Sequence, residues 1–244
     1  MTWALDLDGV VWLADTPISG SAEAVARLRA RGERVVFLTN NSGPTVVDYV
    51  AKLASMGMPT DPGDVLTSAQ AAARLLSPGD TALACAGPGV VEALEARGVN
   101  VVSHGEADAV VVGWHRDFDF DRLAAATTAV RAGARLIGTN EDATYPTPAG
   151  LLPGGGALLA AVATASGAEP TVAGKPHQPM ADLVAERVGA VDVMVGDRPS
   201  TDGLFARRIG ARFALVLSGV TSAGDLPVVP EPDEVAASLA ALAE

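Results

Sequence analysis

The chain opens on a short apolar run, Thr2-Trp3-Ala4-Leu5, that ends in two carboxylates two residues apart, Asp6 and Asp8, with Gly9 directly after them. A buried strand with acids at its carboxyl end constrains this sequence more than any other stretch. Open α/β sheets collect their ligands just outside the carboxyl ends of their strands. The competing reading is a hairpin, because Asp-Gly between alternating apolar residues is also a strong short turn signal. Three later strand ends decide between the two.

The rest of the chain alternates strand and helix signals, the pattern of a parallel sheet. Ser21 reads as the N-cap of a helix stopped by Gly32, and residues 34–38 as a buried strand ending in Thr39-Asn40-Asn41-Ser42-Gly43. Ser68 reads as the cap of a helix through Leu76. Pro78-Gly79 then punctuates the chain, and the rhythm restarts with strands at 81–85, 109–113 and 135–138. Residues 140–153 read as irregular, and the Gly154-Gly155-Gly156 run as the close-packed start of a buried helix, since no Gly-Lys-Ser/Thr follows it. The first unit resumes with a short strand at 171–173 leading to Gly174-Lys175-Pro176. A strand at 192–195 follows, ending in Gly196-Asp197-Arg198-Pro199-Ser200-Thr201-Asp202, and the chain finishes with an amphipathic helix over 231–243. The expected fold is an α/β core of residues 1–77 and 172–244, with a second α/β unit, 78–171, inserted into it.

Composition sets the class. At 49% hydrophobic and 19% charged residues over 244 positions, the chain is globular, not disordered. A net charge of −12 without a basic cluster excludes nucleic acid and anionic membrane surfaces as natural partners. A single cysteine, Cys85, cannot form an intrachain disulfide. Asp6 and Asp8 interrupt the place a signal peptide would need for its apolar core, and the longest uncharged span is broken by prolines and glycines, so the expected location is the cytoplasm.

The four strand ends are Asp-x-Asp, Thr-Asn-Asn, Gly-Lys-Pro and Gly-Asp-x-x-x-x-Asp. Taken singly, each has an ordinary explanation: hydroxyls cap helices, lysines solvate loops, and acids complement helix dipoles. Yet the chain has only two lysines, Lys52 and Lys175, among 17 basic residues. In one parallel sheet the four ends also meet at one edge, where they form a phosphoryl-transfer site. A carboxylate can accept a phosphoryl group and divide one hard displacement into two. Asp6, Asp197 and Asp202 would suppress one another's ionisation without a cation, and hard oxygen donors suit Mg²⁺. Thr39 and nearby backbone N–H groups would hold the phosphoryl oxygens, and Asp8 would protonate the leaving oxygen and then activate water.

These residues, in this order and spacing over the whole chain, resemble motifs I to IV of the haloacid dehalogenase superfamily. The insertion, with Val110-Val111-Val112-Gly113 and Thr139-Asn140-Glu141-Asp142…Tyr145-Pro146-Thr147, resembles the α/β cap of the subgroup that contains NagD and the p-nitrophenyl, phosphoglycolate and glycerol-phosphate phosphatases. The resemblance implies a Rossmann-like core and Asp6 as nucleophile. It implies Asp8 as acid and base, with Thr39, Asn40, Asn41 and Lys175 on the phosphate. Mg²⁺ would lie on Asp6, the Asp8 carbonyl and Asp197, with Asp202 in support. The expected activity is Mg²⁺-dependent hydrolysis of a small phosphorylated metabolite, with a homodimer through the cap left open. His115, Arg116, Asn140, Asp142 and Arg198 are the candidates for choosing the leaving group. His115 stands where relatives often carry aspartate, and Glu141 where proline is common. Phosphotransfer to a sugar acceptor and a non-catalytic, receiver-like phosphate-binding protein are the rival readings.

Overall fold

The computed structural model describes residues 1–147 and 149–243. Its first sheet has six parallel strands in the order Glu234–Ala236, Arg212–Val216, Val193–Gly196, Thr2–Asp6, Arg34–Thr39 and Val65–Thr67. The chain therefore builds outward in one direction from Thr2–Asp6 through the next two strands of this sheet. It returns later to build outward on the other side. The strand order reverses between Thr2–Asp6 and Val193–Gly196, and such a switch point opens the crevice where α/β sheets bind ligands.

Period-two alternation explains why this sheet is buried on both faces. Ala4, Val36, Leu38, Met194, Phe213 and Leu215 face one way, onto the helices Ser68–Ala73, Gln178–Arg187 and Leu204–Ile209. Trp3, Leu5, Val35, Phe37, Val193 and Val195 face the other way, onto Ser21–Ala30, Val46–Ser55 and Leu239–Leu242.

The second sheet is also all parallel, in the order Thr171–Val172, Arg135–Gly138, Ala109–Val112, Thr81–Cys85 and Asn100–Val102. One face carries Leu83, Cys85, Val110, Val112 and Leu136 and packs on the helices Phe120–Arg131 and Gly155–Ser166. The other face, with Ala82, Val111 and Ile137, joins the same apolar cluster as the first sheet through Ser68–Ala73 and Pro88–Glu95.

Several local expectations are corrected. Residues 171–172 pair with Ile137 and Gly138 and so belong to the second sheet, not the first. The irregular stretch contains an antiparallel hairpin, Thr144–Thr147 with Gly150–Pro153. The terminal segment is a strand and one short helix, because Glu234–Ala236 finds the open edge of Arg212–Val216. Thr67, not Ser68, caps its helix in a reciprocal box with Gln70. Ser21 is the first residue of its helix, not the cap, and donates its hydroxyl to the Val11 carbonyl at 3.1 Å. The triple glycine does start a helix, and closely: a Cβ on Gly154 would lie 2.2 Å from the Asp142 carbonyl oxygen. Among the described residues no helix is long and apolar enough to cross a membrane.

Candidate active site

Strand Thr2–Asp6 delivers Asp6 to the sheet edge, and Gly9 turns the chain back with φ +88°, a conformation that favours glycine. Gly9 is also required for space, since a Cβ there would lie 2.3 Å from Asp197 Oδ2. Gly219 flanks the same carboxylate from the far side, 2.0 Å by the same measure. Asp197 follows the neighbouring strand Val193–Gly196 directly, so two glycines and two strand ends form its cradle.

Lys175 is 1% exposed and sits at the centre of the site. Its ammonium lies 2.9 Å from Asp6 Oδ1 and 2.7 Å from Asp202 Oδ1, and it reaches the Leu38 carbonyl at 3.4 Å. A solvated loop lysine is thereby excluded. Asn40 fixes the Lys175 backbone from both sides: Lys175 N–H donates to Asn40 Oδ1 at 2.7 Å, and Asn40 Nδ2 donates to the Lys175 carbonyl at 2.9 Å. Asn40 Nδ2 also donates to Asp142 Oδ2 at 3.0 Å, which ties this loop to the second sheet. Thr39 does not cap the next helix; Thr45 does, in a capping box with Asp48. Thr39 Oγ1 instead accepts the Asn41 N–H at 3.0 Å, at the end of its strand.

Asp6, Asp197 and Asp202 are all buried, and each offers an oxygen within 4.8 Å of the others. Three carboxylates around one ammonium leave an excess of two negative charges, and each unpaired ion buried this way costs several kcal/mol. Burial drives the Asp6 carboxyl well above the ordinary aspartate range; Lys175 opposes this and Asp202 and Asp197 add to it. Asp197 is pushed up to about 7 by burial and then by Asp202. Burial alone would lower Lys175, but Asp202 and Asp6 outweigh it and hold the ammonium above the usual lysine value.

A divalent cation supplies the missing charge, and the donor set fits one. Asp197 Oδ1 is buried without a hydrogen-bond partner among the described residues, while Oδ2 takes the Val220 N–H at 2.6 Å. Both Asp202 oxygens are already engaged, by Lys175 and by the Arg198 N–H at 3.1 Å, so Asp202 braces the cluster. Oxygen donors alone, with neither thiolate nor imidazole, suit Mg²⁺ or Ca²⁺ better than Zn²⁺.

Above this cluster opens a cleft lined by Asp6, Asp8, Thr39, Asn40 and Asn41 from the first sheet, with Lys175 beyond the end of Thr171–Val172. Trp114, Asn140 and Asp142 line it from the strand ends of the second sheet and Tyr145 from the hairpin, with Arg198 beside them. Burial raises the carboxyls of Asp8 and Asp142 above their ordinary values. Arg198 Nη2 donates to the Thr144 carbonyl at 3.2 Å, so its guanidinium spans the two units. His115 does not reach this cleft. It is buried beside Phe118, with Nδ1 2.9 Å from the Gly113 carbonyl oxygen. Arg116 is exposed and lines a neighbouring opening shared with Asp15 and Lys52.

Four contributors escaped the sequence reading. Trp12 and Trp114 looked like ordinary apolar residues, and Tyr145 fell in a stretch that reads as irregular. Val220, which holds Asp197, follows the end of Arg212–Val216, where Ser218-Gly219 carry no signal in the sequence that marks them as part of a site.

The comparisons agree with this geometry. A profile described as haloacid dehalogenase-like hydrolase matches residues 3–100, and one described as HAD-hydrolase-like matches residues 172–242. The D-glycerol 3-phosphate phosphatase of Mycobacterium tuberculosis is 38% identical over 235 residues, covering 93% of this chain but 65% of that protein's length. The acid sugar phosphatase of Staphylococcus haemolyticus is 34% identical over 230 residues, covering 92% of this chain and 88% of that one. The solved structure of the M. tuberculosis glycerol phosphate phosphatase in complex with magnesium superposes with a TM-score of 0.90 at 35% identity, covering 99% of this chain and 75% of that chain. With the parallel-sheet fold and the acid-lined switch point already in hand, these likenesses establish that the chain belongs to the haloacid dehalogenase-like hydrolases.

Proposed function

We propose that the chain is a Mg²⁺-dependent phosphatase of small phosphate monoesters that works through an aspartyl-phosphate on Asp6, with residues 78–172 as the cap over a core of 1–77 and 173–244. The observation that carries this reading is Lys175, fully buried yet charged, held between Asp6 and Asp202 at the floor of the cleft. An ammonium there neutralises the repulsion between a carboxylate nucleophile and a phosphate dianion, and phosphoryl transfer depends on such positioning and charge.

In the first step a carboxylate oxygen of Asp6 attacks phosphorus. The bond from phosphorus to the ester oxygen breaks, its electron pair leaves with that oxygen, and Asp8 supplies the proton that makes it an alcohol. In the second step water attacks phosphorus and gives a proton to the Asp8 carboxylate. The bond to Asp6 then breaks with its electron pair returned to the carboxylate. Asp8 lines the cleft beside Asp6, and burial raises its carboxyl in the direction an acid catalyst needs. Thr39, Asn41 and Lys175 take the phosphoryl oxygens. Asp6, the Asp8 carbonyl and Asp197 would hold Mg²⁺, braced by Asp202, and the ion would supply positive charge against the phosphoryl group when bound.

The leaving group is a small polyol in this reading. Asn140, Asp142 and Arg198 line the cleft with donors and acceptors suited to hydroxyl groups. Names of relatives such as glycerol phosphate phosphatase and acid sugar phosphatase support the same class. The test is phosphate release from glycerol phosphate, sugar phosphates, phosphoglycolate and nucleoside monophosphates, with Mg²⁺ and with a chelator, alongside Asp6→Asn. Release from a polyol phosphate that stops with the chelator and in Asp6→Asn is expected. Near-normal turnover by Asp6→Asn would refute the covalent route, and product phosphate found on an added alcohol instead of water would make the chain a phosphotransferase.

A further inference from the structure

We infer that Tyr145, on the hairpin Thr144–Thr147/Gly150–Pro153, is a positioning residue that sets the orientation of the Asp8 carboxylate. Its hydroxyl donates to Asp8 Oδ1 at 3.1 Å across 137 positions of sequence, and Trp12 Nε1 donates to the same oxygen at 3.0 Å. An indole N–H can only donate. With two donors on Oδ1, that oxygen is held as an acceptor, while Oδ2 has no partner among the described residues and is left to face the substrate. The two donors come from different places. Trp12 is buried in the core of the first sheet, where it stacks on Tyr49, whereas Tyr145 belongs to the second unit. Tyr145 is itself placed by Trp114, whose ring centroid lies 5.3 Å away and whose Nε1 donates to the Pro153 carbonyl at 3.1 Å. The position of the hairpin is thus read out at one oxygen of the acid that serves the leaving group. The residue also stands at the boundary between the main cleft and the adjoining opening that holds Arg116 and Lys52, and it lines both.

This inference rests on the phosphatase reading and on Asp8 as the acid, so its test separates the two. Catalytic efficiency, kcat/KM, reports the steps through departure of the leaving group. It is measured for Tyr145→Phe and Asp8→Asn on p-nitrophenyl phosphate, whose leaving group is stable without a proton, and on whichever alkyl phosphate the unaltered chain hydrolyses fastest. For Tyr145→Phe the expected result is a loss of about tenfold or more on the alkyl ester. That lies below the roughly 10²–10⁴-fold that general acid catalysis supplies. The change on p-nitrophenyl phosphate should be within about twofold, with inhibition by inorganic phosphate unaltered. Asp8→Asn should show the same split, more steeply. Equal losses on both esters, or none on either, in Tyr145→Phe while Asp8→Asn shows the split would overturn the role given to Tyr145 and leave the phosphatase standing. Equal losses on both esters in Asp8→Asn would overturn the acid assignment, and Tyr145's role with it.

Discussion

At the scale of single residues, the site is governed by charge that the folded chain cannot balance alone. Asp197 titrates near 7 when no cation is bound, against an ordinary value of 3.8. The sign follows directly. A carboxyl whose pKa is raised by folding favours the folded state most below its unfolded value, and that contribution is lost as pH rises through the folded value. Between about pH 4 and pH 7 the metal-free chain should therefore melt at progressively lower temperature. Millimolar Mg²⁺ should raise the melting temperature most at the upper end of that window, where the ligands are ionised. Melting curves across pH with and without Mg²⁺ check this, and a Mg²⁺ effect as large at pH 4 as at pH 7 would contradict it. Lys175→Ala removes the only ammonium in the cluster, and turnover should fall by at least about a hundredfold. Its destabilisation, about 3–5 kcal/mol for breaking a buried pair, should be larger at pH 8 than at pH 5, because at pH 5 the orphaned acids can neutralise themselves by protonation. The strand-end acids and the rare lysine were legible in sequence because their chemistry is unusual for a loop. Tyr145 was not, since nothing local distinguishes a hairpin tyrosine from one aimed at a carboxylate 137 positions away.

At the scale of elements, the seam between the two sheets is built from glycines that leave no room for a side chain. A Cβ on Gly89 would meet the Pro44 carbonyl oxygen at 2.1 Å and that of Ser42 at 2.7 Å. One on Gly113 would meet Ser42 Oγ at 2.6 Å, and one on Gly174 would meet Asn40 Oδ1 at 2.5 Å. All three press on the loop that follows Thr39, which lines the cleft. Its hydroxyl at Ser42 is also paired with Thr139 Oγ1 of the second unit at 2.9 Å. Backbone atoms cannot yield as a flexible side chain would, so Gly89→Ala must displace this loop. The expected effect is a loss of stability of about 1–3 kcal/mol, together with weaker inhibition by inorganic phosphate. Gly224→Ala, which would meet only Ser222 Oγ at 3.7 Å, should stay within about 0.5 kcal/mol of the unaltered chain. Chemical denaturation and phosphate inhibition measured on both variants decide it. The sequence showed the glycines without showing their duty, because a tight approach between distant segments has no local signature. The same limit explains the elements that were misassigned. Thr171–Val172 reads correctly as a strand but joins the second sheet, and Glu234–Ala236, expected as helix, is a strand; both are edge strands of two and three residues whose partners lie far off in sequence. The hairpin was obscured by Pro146 and Pro153, which argue against strand formation unless the residues sit on a two-stranded ribbon.

At the scale of the whole molecule, the question is whether the second sheet behaves as a separate lid. The alternation of strand and helix made two α/β units legible, but not how tightly they are joined. The packing ties them firmly. Ala4, Val36, Leu38 and Met194 of the first sheet share one apolar cluster with Ala82, Val111 and Ile137 of the second, bridged by Ala69, Ala72, Val90 and Leu94 on the two helices between them. Swinging the second sheet away as a rigid body would expose that bridge, and burying an aliphatic side chain is worth roughly 1.5–3 kcal/mol each. The polar stitches at Asn40, Ser42 and Arg198 would break in the same movement. Such a molecule should unfold as one cooperative unit although it contains two sheets. Scanning calorimetry of the metal-free chain is expected to give a single transition whose van't Hoff enthalpy matches the calorimetric one. Leu94→Ala, which empties part of the bridge, should lower that transition without splitting it. Two separable transitions, or a Leu94→Ala variant that melts in two steps, would mean that the shared cluster does not couple the sheets. Substrate access would then fall to movement of the whole second unit.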